Sequence, residues 1–182
     1  MLPVLELKGI RKTFNAGTVN EKTALDGLNL KLKEGDFVTV IGGNGAGKST
    51  MLNAVAGVFP VDEGTITIDG IDVTRLPEYK RAKYLGRVFQ DPMTGTAATM
   101  EIQENLALAK RRGKVRGLRT GITHKERQMY QEKLKILGLG LEFRMTSKVG
   151  LLSGGQRQAL TLLMATLKKP RLLLLDEHTA AL

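Results

Sequence analysis

The amino-acid sequence predicts an α/β fold, and three patterns along its 182 residues indicate it. Apolar and polar residues alternate through much of the first third of the chain, as they do in half-buried strands. A glycine-rich turn then separates an apolar segment from a helical pattern. From about Met100 the apolar residues recur at helical spacing, until the run RLLLLD returns to a strand pattern. The expected organisation is therefore a β-rich start, a helical insert and a return to the sheet.

The strand predictions depend on the spacing of the apolar residues. VLELKGI, LNLKLKEG and GTITIDG alternate apolar and polar residues, and in the second of them Leu28, Leu30 and Leu32 share one face. Residues 37–41 are more continuously apolar, which predicts a strand buried on both faces. The Asp-Gly pair at the end of GTITIDG predicts a tight turn. Residues 85–90 are predicted as one more short strand.

Four segments are predicted to be helical. They are MLNAVAGVF after the glycine-rich turn, EIQENLALAK, residues 123–137, and a segment from Ser153 to about Lys168 that Pro170 ends. Ile102, Leu106 and Leu108 lie on or near one face of the second helix. The sequence THKE at residues 123–126 has the spacing of a capping box, which favours a helix start there.

Composition and charge limit the classes of function that the chain can have. With 42% hydrophobic and 25% charged residues the chain resembles an ordinary soluble protein, and no apolar run approaches the roughly 20 residues that span a bilayer. The start, MLPVLELKGIRKTF, lacks the apolar stretch of a secretory signal. The absence of cysteine excludes disulfides and thiolate metal sites. The net charge of +10 favours a polyanionic partner, which could be nucleic acid, anionic lipid or a nucleotide.

A glycine-rich motif predicts a phosphate-binding loop. GGNGAGKS fits the pattern G-x-x-x-x-G-K-[ST] and lies between a predicted strand and a predicted helix, as the motif requires. Glycines allow consecutive backbone N–H groups to surround an anion, and the helix N-terminus adds partial positive charge. Lysine can reach the β- and γ-phosphates, and the serine hydroxyl can bind Mg²⁺. The predicted nucleotide-binding residues are Gly42, Gly43, Asn44, Gly45, Ala46, Gly47, Lys48, Ser49 and Thr50.

A second motif, LSGGQ, precedes the last predicted helix. Considered alone, Ser153 with two glycines is either an ordinary helix N-cap or a second anion site. It is not alone: the order of phosphate loop, VFQD, LSGGQ and LLLLDE resembles the ATP-binding cassette (ABC) ATPases. The resemblance extends from Phe14 to the last residue of the chain.

The resemblance implies a fold and a domain organisation. The expected fold is that of a P-loop NTPase, with a RecA-like parallel-sheet core, an N-terminal antiparallel β subdomain and an inserted helical signature subdomain. Residues 1–182 are expected to form one nucleotide-binding domain, with its core in about 1–92 and 169–182 and its helical subdomain in about 93–168. AAL at the end resembles the start of the family's D-loop, so the domain is expected to be incomplete there and to hydrolyse ATP poorly by itself.

The resemblance also implies roles for residues that bind ATP. Phe14 resembles the aromatic residue that stacks on adenine, although a core residue at a strand end is the alternative. Gln90 resembles the Q-loop glutamine, which approaches Mg²⁺ and the attacking water. Ser153 and Gly155 correspond to signature residues that contact the γ-phosphate of ATP in the opposite subunit. The whole signature set is Ser153, Gly154, Gly155 and Gln156.

The same resemblance implies different roles for two adjacent acidic residues. Asp176 resembles the aspartate that holds Mg²⁺ through water, and Glu177 resembles the general base that polarises the attacking water. The predicted catalytic residues are therefore Glu177, Lys48 and Gln90, and the predicted metal-binding residues are Ser49, Gln90 and Asp176. The implied cofactors are ATP and Mg²⁺.

Residues 110–127 form a basic segment whose role the sequence leaves open. It contains Lys110, Arg111, Arg112, Lys114, Arg116, Arg119, Lys125 and Arg127. Contact with a membrane partner, contact with anionic headgroups, a nucleic-acid patch and a solvated loop are the alternatives. The absence of aromatic residues between these cations argues against binding of single-stranded nucleic acid.

The leading hypothesis is an ATP-hydrolysing subunit of a bacterial-type ABC transporter, with uptake favoured over export. The expected partners are a second, head-to-tail copy of the chain, separate membrane permease subunits and an extracellular or periplasmic solute-binding protein; no nucleic acid is expected. The expected location is cytoplasmic, peripheral on the inner face of the cell membrane. The alternatives are a soluble ABC ATPase that acts on ribosomes or DNA, and a fragment that binds ATP without hydrolysing it.

Overall fold

The computed structural model describes residues 2–91, 93–114 and 121–176. Its backbone contacts divide the chain into two compact units, Met1–Leu85 and Gly86–Leu182. In the described residues no helix combines the length and the apolar character that crossing a membrane would take.

The first unit is built on an antiparallel sheet. Its strands are β1 (Leu5–Phe14), β2 (Lys22–Leu32), β3 (Glu63–Ile68) and β4 (Ile71–Asp72), in the order β2-β1-β3-β4. The central strand β1 pairs with β2 and β3, with Leu5 opposite Leu32 and Ile68. The core side chains of the sheet are nearly inaccessible: Leu5, Leu7, Ile10, Ile66 and Ile68. The three strands predicted from alternation are confirmed.

The pattern within these strands also agrees with the prediction. In β2 the leucines at 28, 30 and 32 are half-buried, while Asn29 and Lys31 between them are exposed. At the end of β3, Asp69 and Gly70 have φ of 55° and 76°. Two successive left-handed residues make the tight hairpin turn to β4, because this turn type matches the twist of the strands. The predicted Asp-Gly turn is therefore confirmed.

The predicted strand at residues 37–41 is wrong. No strand spans residues 36–43, and Phe37 and Ile41 expose 88% and 90% of their surface. A strand buried on both faces needs a neighbouring strand along its edges as well as layers above and below. None of the described strands pairs with this segment. The apolar residues indicate that the segment would be buried if it were a strand. A strand also needs a hydrogen-bonded neighbouring strand, and the segment's own sequence does not provide one.

Helix α1 (Lys48–Ala56) follows the glycine-rich loop. It ends before Gly57, whose φ of 83° is the left-handed conformation common after a helix end, so it begins and ends three residues before the predicted segment MLNAVAGVF. A four-residue helix, α2 (Glu78–Arg81), places the Arg81 side chain against this end. Arg81 is 1% exposed and donates to the carbonyl oxygens of Ala54 at 2.8 Å and Val55 at 3.0 Å. Two further donations reach Leu76 and Thr74.

In its described residues the second unit contains a short parallel sheet and three α-helices. Strand β5 (Leu85–Val88), at the start of this unit, pairs with β6 (Leu172–Leu175). Both strands were predicted, but β5 ends before residue 90. Leu174 is buried, whereas the other three leucines of β6 are half-buried. This is the burial expected of a strand with one described neighbour.

The helices are α3 (Ile102–Lys110), α4 (His124–Lys135) and α5 (Gly154–Thr166), with 3₁₀ turns at Leu141–Phe143 and Val149–Leu151. They enclose an apolar cluster. Leu108 of α3 is half-buried and does not belong to this cluster. The fully buried members are Ile102, Leu106, Tyr130, Leu134, Leu141, Val149 and Leu160. The predicted helices are confirmed, with α4 and α5 each ending about one residue or two before the predicted bound.

Candidate nucleotide-binding site

The backbone of the phosphate loop, residues 42–50, is shaped by its glycines. Gly45 and Gly47 have φ of 80° and 85°, in the left-handed region that favours glycine. A Cβ on Gly47 would also lie 2.5 Å from the carbonyl oxygen of Ala24 in β2. No other residue fits at position 47 unless the strand moves. The loop is therefore held close against β2 at the point where α1 begins.

Lys48 carries its charge back onto the loop. Its Nζ donates to the carbonyl oxygens of Gly42 at 2.7 Å and Gly43 at 2.9 Å. Inside the loop the N–H of Ala46 donates to the same Gly43 carbonyl at 3.2 Å. The ammonium thus lies over the first half of the motif, where a phosphate bound by the loop would meet it.

The N-terminus of α1 is available to an anion. Its N-cap is Gly47, no side chain caps the first turn, and no acidic residue lies in it. The N–H groups of a first turn have no partner within the helix, and the helix dipole adds positive potential there. The hydroxyl-bearing Ser49 lies in this turn and is exposed. These donors match the chemistry of a nucleotide phosphate with its Mg²⁺ ion.

Phe14, at the end of β1, contacts an aromatic ring and a lysine ammonium. Its ring lies edge-on to Phe59, with the centroids 5.3 Å apart, and the Lys12 ammonium is 5.6 Å from the Phe14 centroid. Lys12 also binds Asp62 at 2.7 Å, and this contact, with the Thr13 N–H, holds the pKa of Asp62 below its ordinary value. Phe14 is half-buried, so part of its surface is left for adenine. Its stacking role stays a prediction.

In the second unit, Gln90 lies two residues after β5 and is exposed. The turn that follows it is closed by Asp91, whose carboxylate accepts the N–H of Met93 at 2.7 Å. The role of Gln90 at Mg²⁺ and water stays a prediction.

The LSGGQ motif caps helix α5. The Ser153 hydroxyl accepts the N–H of Gln156 at 3.3 Å, and the Gln156 side chain accepts the N–H of Ser153 at 3.2 Å. This reciprocal capping box confirms the N-cap function that the serine alone suggested. Gly154 and Gly155 are exposed, and a Cβ on either would have no described atom within 4 Å. Neither backbone conformation nor packing in the described residues requires glycine at these two positions.

Arg157, directly after this motif, was missed by sequence reasoning. It is 3% exposed and donates to the Thr96 hydroxyl at 2.6 Å and the Met93 carbonyl at 3.1 Å. One turn further on, Thr161 lies so close to Gly95 that a Cβ there would be 2.5 Å from it. Arg157 therefore joins the signature helix to the segment after Gln90. A charged residue on the buried face of an apolar helix was the available signal.

Asp176 follows β6 directly, and its N–H donates to the Val88 carbonyl of β5 at 3.2 Å. The strand thus brings this carboxylate to its carboxyl end, as predicted. Glu177, His178 and the D-loop residues Ala180, Ala181 and Leu182 lie outside the described residues. Among the described residues no group of three or more His, Cys, Asp or Glu could hold a metal ion. Mg²⁺ in nucleotide sites takes few protein ligands and several phosphate or water oxygens. The metal-binding roles of Ser49, Gln90 and Asp176 stay predictions.

Several cations of the basic segment have structural partners. Arg111 binds both carboxylate oxygens of Glu126 at 3.1 Å, and Lys110 lies 3.7 Å from the same group. Arg112 donates to the carbonyls of Ala165 and Lys168 near the end of α5. These contacts favour a structural role for this part of the segment, whereas Lys114 and Lys125 are exposed. Arg116 and Arg119 lie outside the described residues.

Comparison with known proteins agrees with this geometry. Residues 25–180 match the family described as ABC transporter, and the chain belongs to that family. It is 42% identical over 179 residues to the tyrosine transport ATP-binding protein of Clostridioides difficile, with coverage of 98% of this chain and 71% of the relative. It is 34% identical over 180 residues to the spermidine/putrescine import ATP-binding protein PotA of Haemophilus influenzae, covering 99% of this chain but 44% of that protein.

Solved structures show the same fold. The dimeric post-hydrolysis state of the ATP-binding cassette MJ0796 bound to ADP and Pi has a TM-score of 0.82 at 33% identity, covering 98% of this chain and 75% of that one. The cbiO1 protein from Clostridium perfringens, part of the transporter complex cbiONQ, has a TM-score of 0.76 at 26% identity, covering 100% and 68%. The predicted family and α/β fold class are thus confirmed.

Proposed function

We propose that this chain is the ATP-binding and ATP-hydrolysing subunit of an ABC uptake transporter. The observation that carries the proposal is the geometry of the phosphate loop: Gly47 is held against β2, Lys48 lies over the loop, and the first turn of α1 has no side-chain cap. Membership of the ABC transporter family supports ATP as the nucleotide.

Different residues of the chain bind different parts of ATP and its metal ion. The loop amides and Lys48 bind the β- and γ-phosphates, and Phe14 stacks on the adenine ring. Ser49 and Gln90 would bind Mg²⁺, and Asp176 would hold it through water. Mg²⁺, when bound, supplies positive charge that neutralises the phosphates during transfer. Glu177 orients the attacking water and accepts its proton.

The signature motif is proposed to act on the nucleotide of a second copy of the chain. Gly154 and Gly155 are exposed, and nothing in the described residues requires them to lack a side chain. Glycine at such a position is explained if another molecule approaches the backbone closely. The matched cassette MJ0796 has been solved as a dimer, which supports a symmetrical pair.

The transport role is proposed from the relatives. Those that match are named for tyrosine transport and for spermidine/putrescine import. By analogy, this subunit would work at the cytoplasmic face of the cell membrane with separate permease subunits and a solute-binding protein. The transported solute would be small and would be selected by those partners.

The test is ATP-dependent association, measured by light scattering in the Glu177→Gln background, which slows turnover of bound ATP. We expect Mg-ATP to double the molecular mass, and we expect Gly155→Val to abolish the doubling while ATP still binds. Gly121→Val is the matched control, because a Cβ on Gly121 also meets no described atom within 4 Å. Association that survives Gly155→Val, or no association with Mg-ATP, would contradict the proposed arrangement.

A further inference from the structure

Lys22 lies beside the phosphate loop, although it is outside the loop motif. It is the first residue of β2, and it is paired with Phe14 in the register of β1 and β2. Its Nζ is 3.4 Å from the point where a Cβ on Gly45 would lie. The ammonium is therefore next to the middle of the loop.

The start of β2, which carries this side chain, lies against the phosphate loop. Two residues further along β2, the carbonyl oxygen of Ala24 packs against Gly47. Between Lys22 and Ala24, the Thr23 hydroxyl bonds to that of Thr13 across the strand pair at 3.1 Å. The start of β2 thus forms a wall along the loop, with Lys22 at Gly45 and Ala24 at Gly47.

Lys22 lacks a counter-ion in the described part of the chain. No hydrogen bond or ion pair joins its ammonium to any described residue, whereas Lys12 is bound to Asp62 at 2.7 Å. Lys22 is also exposed. A lysine next to an anion-binding loop, with its charge uncompensated, is suited to a second anionic ligand group.

We infer that Lys22 is a further phosphate-binding residue, which contacts the polyphosphate of a nucleotide held by the loop. The inference rests on the proposed ATP binding and adds to it a cation from outside the motif. Lys48 and Lys22 reach the loop from different elements, α1 and β2, so together they place two positive charges along the polyphosphate. Because Lys22 is exposed, solvent screens its charge, and its effect is a few-fold in affinity and salt-dependent.

The test is the affinity of the chain for the non-hydrolysable analogue AMP-PNP with Mg²⁺, measured by isothermal titration calorimetry. We expect Lys22→Gln to weaken binding about threefold to tenfold at low salt, and less at high salt. We expect Lys22→Arg to retain most of the affinity, because it keeps the charge. The matched control is Lys33→Gln, which removes the same charge from an exposed lysine just beyond the other end of β2, about 35 Å along the strand.

The outcomes separate this inference from the proposed function. Equal affinities for Lys22→Gln and Lys33→Gln, with the unaltered chain binding the analogue, would overturn the role of Lys22 alone. A loss that is equally large in Lys22→Arg would overturn it too, because the effect would then come from packing and not from charge. A chain that binds no AMP-PNP at all would contradict the proposed function itself.

Discussion

Glycine has different roles in the phosphate loop and in the LSGGQ motif of this chain. Gly47 is required by the chain's own geometry, because its φ is 85° and a Cβ would lie 2.5 Å from a β2 carbonyl. Gly154 and Gly155 have no such requirement in the described residues. The first glycine therefore shapes a binding loop from within, whereas the other two leave room for an approach from outside.

Arg81 is the residue whose loss we expect to cost the most stability in the first unit. It is 1% exposed, and its guanidinium serves four carbonyl groups, two of them at the end of α1. Arg81→Met would remove the guanidinium donors from these carbonyl groups, although the Ala54 carbonyl keeps the N–H of Gly57 at 3.2 Å. We therefore expect the free energy of unfolding to fall by about 3 kcal/mol. Chemical denaturation followed by circular dichroism measures it.

The control for this prediction is Arg75→Met, at an exposed arginine in the same unit. We expect that change to stay within about 0.5 kcal/mol of the unaltered chain, as surface substitutions usually do. If both substitutions shift the midpoint equally, the carbonyl contacts of Arg81 do not stabilise the unit as described.

The places of single motif residues in the fold were predictable from the sequence, whereas their chemical roles stay predictions. The loop residues, Ser153 and Asp176 all lie at the loop, cap and strand end where the motifs placed them. Sequence reasoning missed Arg81 and Arg157, because a buried arginine depends on carbonyl groups brought together by folding. Their acceptors are up to 64 residues away in the sequence, so a local pattern can mark such an arginine as buried but does not reveal its partners.

At the scale of elements, helix caps were the most predictable feature. The capping box of α4 and an N-cap at Ser153 of α5 were predicted from the sequence, and both helices have a capping box. A third box, Glu101 with Glu104 at α3, was not predicted, since glutamate is a less usual N-cap residue. The prediction of a strand at residues 37–41 was wrong. A helix cap is formed by residues close together in the sequence, whereas a strand needs partner strands that its own sequence does not contain.

The cap of α4 predicts a pH dependence of stability. The pKa of Glu126 is lowered chiefly by the Thr123 N–H; burial, the next largest effect, opposes this, and the Thr123 hydroxyl, Arg111 and Lys110 lower the pKa further. A lowered pKa means that the folded state favours the ionised carboxylate. Its stabilisation is therefore full above the ordinary pKa of a glutamate and is lost as the pH falls through the lowered value.

We expect Glu126→Gln to reduce stability at neutral pH and to make little difference in acid, where the carboxyl group is protonated in both folded and unfolded states. Thermal unfolding of the two chains between neutral and acid pH measures this. Glu132→Gln is the control, since Glu132 is an exposed residue of the same helix that binds only Lys135 among the described residues. A Glu126→Gln difference that is constant with pH would show that the carboxylate charge does not stabilise the cap.

At the scale of the whole molecule, the chain forms two units, and the motifs are divided between them. The phosphate loop and Phe14 belong to the first unit, and Gln90, LSGGQ and Asp176 belong to the second. The family was predictable because the order of these motifs is specific. The chain spans 71% of the tyrosine transport protein and less than half of PotA, so the activity of a whole transporter subunit remains a proposal for this chain.

The most direct test of the central claim is binding of Mg-AMP-PNP to the 182-residue chain and to its Lys48→Ala variant, by isothermal titration calorimetry. Lys48 lies over the loop through two donations to glycine carbonyls, and its removal takes a charge from the phosphate position. We expect saturable binding by the unaltered chain and a loss on the order of tenfold or more in Lys48→Ala, as for a charge-assisted contact. Equal affinity of the two chains, or no binding by the unaltered chain, would contradict the assignment of residues 42–50 as the nucleotide site.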